Sequence, residues 1–346
     1  MADAFTFLPL GAIIQSFTVN GRNIVQGFDT ADQYESHNQP YFGETIGRVA
    51  NRVKGGRIDS LNGGKTYELD VNDRGNTCHS GSSCWGKKTW TGPMTVSTRD
   101  MAGVEGLTDA KSFSYSLTSP DGEGGFPGTV EVTAVYTTGT QKGAAPNGKD
   151  VSVLGIEYEA RLVDGADETA INMTNHSYFN PAGAPTAPTC EGTVITLATN
   201  QHLPVDETAI PTGGPVPFPG LDTSKPFTMT PTDPDVDHCF VIDTGPSTIP
   251  IDTRGGPLRV NLSAHHPKTG VNLEVLSTEP AFQFYTGGFI DVPATGNLPA
   301  RAARSGFCCE PSRWINAVNV PEWKNMVLLK KGETYGTRIV YRGWAD

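Results

Sequence analysis

The chain has 346 residues and a formal net charge of −11, and its 26 lysines and arginines form no basic run. Because this charge balance repels phosphate backbones and anionic lipid headgroups, we expect no nucleic acid or membrane partner. No stretch approaches the roughly 18 apolar residues of a membrane span, and 37% hydrophobic residues exclude a disordered chain.

Short runs of alternating apolar and polar residues follow one another along the chain and predict β-strands. In chain order they include AFTFLPL, GAIIQSFTV, SFSYSLTS, TVEVTAVYTT, VSVLGIEYEARLV, TAINMTNHSYFN, GTVITLAT, NLEVLST, AFQFYTGGF and MVLLKKGETYGTRIVYR. Segments rich in Gly, Pro, Asn and Asp separate these runs and predict turns. No window shows a sustained helical stripe, and no low-complexity linker divides the chain. We therefore predict an all-β fold, a large antiparallel β-sandwich that forms a single domain over residues 1–346.

The cysteines and the N-terminus leave the compartment open. The six cysteines lack the paired CxxC spacing of a structural zinc site, so they are either buried free thiols or, in a secreted protein, disulfides. The N-terminal segment lacks a basic region followed by a small-residue cleavage site. The composition slightly favours a secreted enzyme whose signal was removed, and a cytoplasmic one follows if Met1 is the native start.

Five stretches combine polar or ionisable residues with strand-like or tight-turn surroundings. They are GETIGRVANRVKGGRI (43–58), NTCHSG (76–81), NMTNHSYFN (172–180), DVDHCFVID (235–243) and SGFCCEPSRWINAVN (305–319). A β-sandwich can gather such segments onto one concave face, because alternate residues of neighbouring strands point the same way.

Each candidate residue in these stretches also has a purely structural interpretation. His176 and His79 fit hydrogen-bonded structural histidines, Asp237 fits a turn former, and Arg52 fits an ion pair or a ligand of several oxygens. Glu310 stands inside an apolar run, where a carboxylate must be paired or must serve a purpose. A metal held by His79, His176 and Asp237 has no supporting HxH or HExxH spacing, so we expect no metal.

Several of these segments resemble the motifs of a known family. GRVANRV, CHSG, NHSYFN, DHCF, EPAFQFYTG and FCCEPSRWINAVN are similar, in order and approximate spacing, to the motifs of the aldose 1-epimerases, or galactose mutarotases. The resemblance covers nearly the whole chain, from FTFLPLGAIIQSFTVNG to YRG. It implies a large β-sandwich whose open cleft binds a monosaccharide, and an isomerase that interconverts α and β anomers of free aldohexoses such as glucose and galactose. It implies no metal or organic cofactor.

Anomer exchange needs a base at the C1 hydroxyl and an acid at the ring oxygen, so that the ring opens to the aldehyde and closes again. By the resemblance, Glu310 is expected to be the base and His176 the acid. The expected substrate-binding residues are Arg52, His79, Asp237, Asn51, Tyr178 and Gln283. Trp85 could stack on the sugar, although a core position is expected for it.

The chain also departs from the family pattern near the expected site. Ser312 replaces a glutamine after the expected base, and Cys78 and Ser80 flank His79 in place of a leucine and a glycine. A catalytically silent sugar-binding protein on the same fold therefore stays open. An epimerase for a hexose phosphate also stays open, but it would need basic residues for the phosphate. The available ones are expected to be surface charges: Arg48, Lys54, Arg57 and Arg313. A monosaccharide is the expected partner of a monomer or homodimer.

Overall fold

Two antiparallel sheets of nine and six strands carry most of the chain in the computed structural model, which describes residues 4–184 and 186–346. The strands in chain order are β1 Phe5–Leu8, β2 Ile13–Val19, β3 Arg22–Asn23, β4 Thr45–Ile46, β5 Arg52–Val53, β6 Arg57–Leu61, β7 Lys65–Glu68, β8 Thr77–Cys78, β9 Thr91–Val96, β10 Leu107–Ser119, β11 Thr129–Gln141, β12 Val151–Asp164, β13 Glu168–Ala170, β14 Thr174–Asn175, β15 Tyr178–Phe179, β16 Val194–Leu197, β17 Gln201–His202, β18 Val216–Pro217, β19 Phe227–Thr228, β20 Asp237–Val241, β21 Arg259–His266, β22 Val271–Ser277, β23 Ala281–Tyr285, β24 Phe307–Ser312, β25 Leu328–Lys330 and β26 Tyr335–Ala345. The predicted all-β antiparallel fold is confirmed.

The nine-stranded sheet has the order β19-β16-β21-β22-β26-β12-β11-β10-β9, and the six-stranded sheet has the order β15-β24-β23-β20-β17-β18. Smaller sheets join β1-β2-β3 and the pairs β13-β25, β14-β4, β5-β8 and β6-β7. The long strands β10, β11 and β12 form a meander, which is the simplest connection for antiparallel neighbours.

The main hydrophobic core lies between the two large sheets. The nine-stranded sheet contributes alternate residues of β12, including Leu154 and Ile156, and the six-stranded sheet contributes Phe282, Phe284 and Phe307. The period of two along each strand puts these side chains on one face. Burial of this apolar surface is the main force that holds the sheets together.

One α-helix, Ala31–His37, interrupts the β-rich described chain, together with short 3₁₀ helices. Thr30 caps its N-terminus by accepting a hydrogen bond from the backbone N–H of Gln33. Seven residues make only two turns, which is too short to produce the helical stripe that a sequence window would detect. The 3₁₀ helices are Lys54–Gly56, Gly81–Ser83, Trp85–Lys87, Glu123–Gly125, Pro246–Thr248, Ala317–Asn319 and Lys324–Met326.

The structure also bears on two expectations from the sequence, the state of the cysteines and the absence of a membrane-spanning segment. All six cysteines are free thiols, and five of them are buried, which agrees with the first of the two alternatives for them. Among the described residues, no helix combines the length and apolarity that crossing a bilayer requires.

The six-stranded sheet places polar residues on the face opposite the core. In its register Gln283 on β23 lies opposite Glu310 on β24, and Asp237 on β20 lies opposite Tyr285. Cys308 on β24 lies between Tyr285 and Tyr178 of β15. Because these residues alternate with core aromatics, they share the face that points away from the core.

Candidate active site

A cleft of about 340 Å³ opens on the polar face of the six-stranded sheet. All eight residues predicted for the site line this cleft: Asn51, Arg52, His79, His176, Tyr178, Asp237, Gln283 and Glu310. They come from segments more than 250 residues apart in the chain, which the sheets and their connecting loops bring together. A volume of this size is typical of a pocket for a small organic molecule.

Glu310 and His176 face each other at the floor of the cleft. The His176 Nε2 and Glu310 Oε2 atoms are 3.4 Å apart, and both side chains are buried. Burial lowers the pKa of His176 to about 3. Burial also raises the pKa of Glu310 well above its usual range, Asp237 raises it further, and Arg52 acts in the opposite direction. Burial therefore favours the protonated carboxyl and the neutral imidazole over their charged forms.

The polar stretch around His176 is held by backbone hydrogen bonds that continue the β14–β4 pairing and by side-chain hydrogen bonds of its own asparagine and serine. The His176 backbone N–H donates to the carbonyl of Glu44, and its own carbonyl accepts from Gly43. The Asn175 side chain donates to the Gly43 carbonyl and accepts from the backbone and hydroxyl of Ser177. The asparagines and serine of NMTNHSYFN thus fix the backbone that carries His176.

Two tyrosines cover the faces of the His176 ring. Tyr178 stacks on one side, with ring centroids 5.1 Å apart and an interplanar angle of 23°. Tyr41 stacks at 5.7 Å and 28°, and the Lys87 ammonium lies 4.4 Å from the Tyr41 ring centroid. Aromatic neighbours on the faces leave the imidazole free to exchange protons only at its edge.

His79 sits in a loop of three left-handed residues. The φ angles of His79, Ser80 and Gly81 are 51°, 64° and 63°, a conformation that costs free energy for residues other than glycine. The Ser80 hydroxyl anchors the loop, since it accepts from the backbone N–H of Val49 and contacts the Val49 carbonyl. The serine that departs from the family pattern therefore ties the loop down in this chain.

The proton position on His79 follows from its neighbour. The backbone N–H of Asn51 donates to His79 Nδ1 at 3.3 Å. A backbone amide can only donate, so Nδ1 must be the unprotonated nitrogen and Nε2 must carry the proton. Burial, the nearby His176 and Arg52 lower the pKa of His79 well below its ordinary value. His79 is accordingly a neutral hydrogen-bond donor.

Arg52 fulfils both interpretations that its sequence allowed. Its Nε donates to Asp73 Oδ2 at 2.7 Å and its Nη1 donates to Asn51 Oδ1 at 3.3 Å, while the side chain lines the cleft. Strand β5 pairs with β8, so Arg52 lies opposite Cys78 and next to the His79 loop. The ion pair orients the guanidinium without removing it from the cleft.

Asp237 and Gln283 form a second oriented pair. The Gln283 Nε2 donates to Asp237 Oδ1 at 2.6 Å. This bond fixes the amide orientation and leaves Gln283 Oε1 buried without a hydrogen-bond partner among the described residues. A buried acceptor without a partner is costly, so this oxygen is suited to a hydroxyl donor of a bound molecule.

A metal ion would need the same groups in another protonation state. His79, His176 and Glu310 each offer a ligand atom, and these atoms all lie within 4.8 Å of one another. A metal on His79 Nε2 would require the proton to move to Nδ1, where it would oppose the Asn51 N–H. The donor set therefore does not fit a metal without breaking that hydrogen bond.

Some of the basic residues and Trp85 lie elsewhere. The expectation that all four additional cations are surface charges is wrong for Arg48 and Arg313, which are buried. Arg48 donates to the carbonyls of Pro127 and Gly128, and Arg313 forms an enclosed ion pair with Glu279. Planar guanidinium groups can be buried when several acceptors surround them. Lys54 and Arg57 are exposed, and Trp85 is in the core, as expected.

The cleft also contains residues that the sequence interpretation missed. Tyr41, Asp73, Tyr285 and Phe289 line it, and Phe289 is 74% exposed. Tyr285 could have been found, because it follows Gln283 by two residues in a predicted strand and must share its face. Tyr41 and Asp73 lie outside the strands and follow no periodic pattern.

Comparison with known proteins agrees with this architecture. A family model described as aldose 1-epimerase matches residues 4–342. The chain belongs to the aldose 1-epimerase family. Galactose mutarotase of Homo sapiens is 36% identical over 325 residues, which are 90% of this chain and 81% of the human protein.

Another relative of this aldose 1-epimerase family member is much longer than the chain. The bifunctional protein GAL10 of Pachysolen tannophilus is 39% identical over 341 residues, which are 96% of this chain but 44% of the relative. The chain therefore spans less than half the length of that relative. The fold is similar to a GalM/aldose epimerase homologue from C. elegans, with a TM-score of 0.77, 23% identity, and coverage of 99% of this chain and 95% of the other.

Proposed function

We propose that the protein is an aldose 1-epimerase that interconverts the α and β anomers of free aldohexoses such as glucose and galactose. The observation that carries the proposal is the Glu310 and His176 pair, 3.4 Å apart at the floor of the cleft. The galactose mutarotase name of relatives from Homo sapiens and Sus scrofa, each 36% identical, supports the same reaction.

One proton shared by the pair is enough for the reaction. Moving it from Glu310 Oε2 to His176 Nε2 converts carboxyl and imidazole into carboxylate and imidazolium. The Glu310 carboxylate then takes the proton of the C1 hydroxyl while His176 gives its Nε2 proton to the ring oxygen, and the C1–O5 bond breaks to leave the aldehyde. Rotation about C1–C2 and closure from the other face reverse both transfers. The proton count of the pair is restored in each cycle.

Burial makes the charged form of the pair unfavourable, and the sugar must compensate for it. Arg52 lowers the pKa of Glu310 and so favours its carboxylate. Sugar hydroxyls that donate to this carboxylate would add to that effect. Burial thus favours the neutral carboxyl and imidazole, and a bound substrate would shift the equilibrium toward the reactive carboxylate and imidazolium.

The two histidines differ in their capacity to act as acid. His79 carries its only proton on Nε2, so donating it would leave an imidazolate, and a second proton on Nδ1 would oppose the Asn51 N–H. His176 has no backbone donor at Nδ1 among the described residues, so its Nε2 can release a proton while Nδ1 keeps one. We therefore assign the acid to His176 and a fixed hydrogen bond near the ring oxygen to His79.

The remaining predicted residues are proposed to hold the sugar hydroxyls. Asp237 and the partnerless Oε1 of Gln283 are acceptors, and Arg52 and Asn51 are oriented by the bonds described above. Tyr178 supports the acid from one face of its ring. This arrangement would direct C1 and the ring oxygen to the floor of the cleft.

Polarimetry tests the proposal directly. Freshly dissolved α-glucose and α-galactose are expected to reach anomeric equilibrium faster with the protein than without it. Glu310→Gln should lower the protein-catalysed part of the rate by about 10²- to 10⁴-fold. The exposed Glu322→Gln, which makes the same change of charge outside the cleft, should retain it.

Two further arms separate the alternatives. Saturable sugar binding by calorimetry without faster anomer exchange would identify a silent sugar-binding protein. Faster exchange of glucose 6-phosphate than of glucose would identify a hexose-phosphate epimerase. Unchanged rotation kinetics with every common aldose, from a folded protein, would refute the proposal.

A further inference from the structure

The His176 ring is contacted on both edges by one strand. On β24, Cys308 Sγ lies 3.6 Å from His176 Nδ1, and Glu310 Oε2 lies 3.4 Å from Nε2. Residues 308 and 310 are two apart in a strand, so their side chains share a face. With Tyr41 and Tyr178 on the ring faces, every side of the imidazole has a defined neighbour.

The role of the acid determines which of its nitrogens must carry a permanent proton. If His176 exchanges a proton with the sugar at Nε2, then Nδ1 must stay protonated and needs an acceptor throughout the cycle. The Cys308 sulfur lies at the same nitrogen and is a weak acceptor.

We propose that Cys308 is a positioning residue for His176, whose sulfur accepts the Nδ1 proton and so keeps Nε2 as the nitrogen that exchanges protons. The inference rests on the proposed function for its consequence on rate, but the proton position itself can be measured in the sugar-free protein. The two histidines of the cleft thus differ in the group that contacts Nδ1. At His176 this group is the Cys308 sulfur, and at His79 it is the backbone N–H of Asn51.

A thiol suits this position for two reasons. Burial raises the pKa of Cys308 well above its ordinary value, so the group stays neutral and does not trap the imidazolium in a permanent ion pair. Its neighbour in the sheet is Tyr178, which lies opposite Cys308 on the paired strand β15 and whose ring stacks on His176. Cys308 therefore lies next to the tyrosine that also contacts the acid.

The first test is the tautomer of His176 in the sugar-free protein. Nitrogen-15 NMR of protein labelled at histidine, with the His176 signals assigned by their loss in His176→Gln, reports which nitrogen carries the proton. We expect protonated Nδ1 and unprotonated Nε2 in the wild type, and a larger share of the Nε2–H tautomer in Cys308→Ala. A neutral wild-type ring with its proton on Nε2 would overturn the inference, whatever the enzyme activity.

The second test compares three variants in the anomer assay. Cys308→Ala should lower kcat by about tenfold with little change in KM, as removal of a histidine-orienting partner does elsewhere. Cys308→Ser, which keeps an acceptor, should recover most of the loss. Cys309→Ala is the matched control, because this buried neighbour points into the main core, and its kcat should match the wild type.

The outcomes separate positioning from simple packing. Equal kcat in Cys308→Ala and Cys309→Ala would overturn the inference, and so would a Cys308→Ser variant no faster than Cys308→Ala. Thermal unfolding of each variant shows that the compared proteins are folded. If Cys308→Ala does not fold, the wild-type tautomer and the kcat of Cys308→Ser decide the question.

Discussion

The two faces of the six-stranded sheet have opposite character, although the same strands build both. On β24 and β23 the core face carries Phe307, Cys309 and Phe284, and the cleft face carries Glu310 and Gln283. The aromatic face fixes the backbone by packing, and the polar face uses that fixed backbone to hold ionisable groups in an environment that disfavours their charge. A side chain's place in the alternation therefore decides whether it contributes to stability or to chemistry.

If this comparison holds, the largest loss of activity should come from the proton-exchanging residues of the cleft face. We expect His176→Gln to lower kcat by about 10²- to 10⁴-fold, because the ring oxygen then lacks an acid. His79→Gln should lower kcat by only about tenfold, because it removes a hydrogen bond and no transferred proton. Steady-state polarimetry measures both, and equal losses in the two variants would contradict the assignment of roles.

On the core face, the largest loss should be in stability. Phe284 is fully buried and contacts the rings of Phe227, Phe240 and Phe307. Phe284→Ala should lower the free energy of unfolding by about 3–5 kcal/mol, through lost burial and the cavity left behind. Denaturant titration followed by tyrosine and tryptophan fluorescence measures this loss. A loss below about 1 kcal/mol would show that the core face does not hold the sheet as described.

Binding of the sugar should respond at Asp237, the first residue of β20, which lines the cleft. Asp237→Asn removes a charged acceptor for a sugar hydroxyl and disturbs its bond from Gln283. We expect KM to rise about tenfold, a change of about 1.4 kcal/mol, with a smaller effect on kcat than His176→Gln produces. Asp243→Asn, outside the cleft lining, is the control, and an unchanged KM in Asp237→Asn would remove this residue from the proposed site.

The smallest effect has the opposite sign, because Glu310→Gln should stabilise the protein although it lowers the rate of anomer exchange. The pKa of Glu310 is raised in the folded protein, mainly by burial, whereas in the unfolded chain it is about 4.3. As the pH rises above about 4.3, the unfolded state ionises first, so the wild type loses stability that the neutral amide does not lose. We expect a gain of about 1 kcal/mol at pH 8.

The pH dependence provides the control for this effect. Below about pH 4 the carboxyl is protonated in both states, so the stability difference between wild type and Glu310→Gln should shrink. The lowered pKa of His176 destabilises both proteins as the pH falls from about 6.5 toward about 3, so its contribution should largely cancel. Thermal unfolding across this range measures the difference, and a variant less stable than the wild type at pH 8 would contradict the description of a cleft face that disfavours the charge of Glu310.

The sequence predicted much of this molecule because its strongest signals are local. Alternation along AFQFYTG identified that strand, and it implies that Gln283 lies on the face opposite the neighbouring phenylalanines. SGFCCEP indicated only an apolar run around Glu310, which the structure shows to be strand β24. The resemblance to the aldose 1-epimerases supplied the expected pairing of Glu310 with His176. Loop residues such as Tyr41 and Asp73 were missed, because a loop has no period from which the direction of a side chain follows.

By itself, then, the sequence determined the all-β fold, some of the strands of the site and the residue types available for proton transfer. Only the tertiary structure decided which nitrogen of each histidine is engaged, because Asn51 and Cys308 reach the two rings across turns and strands. It also decided that Arg48 and Arg313 are buried, because the acceptors that surround them come from distant segments. Alternation is a property of neighbouring residues, whereas protonation depends on the burial and contacts that distant residues create.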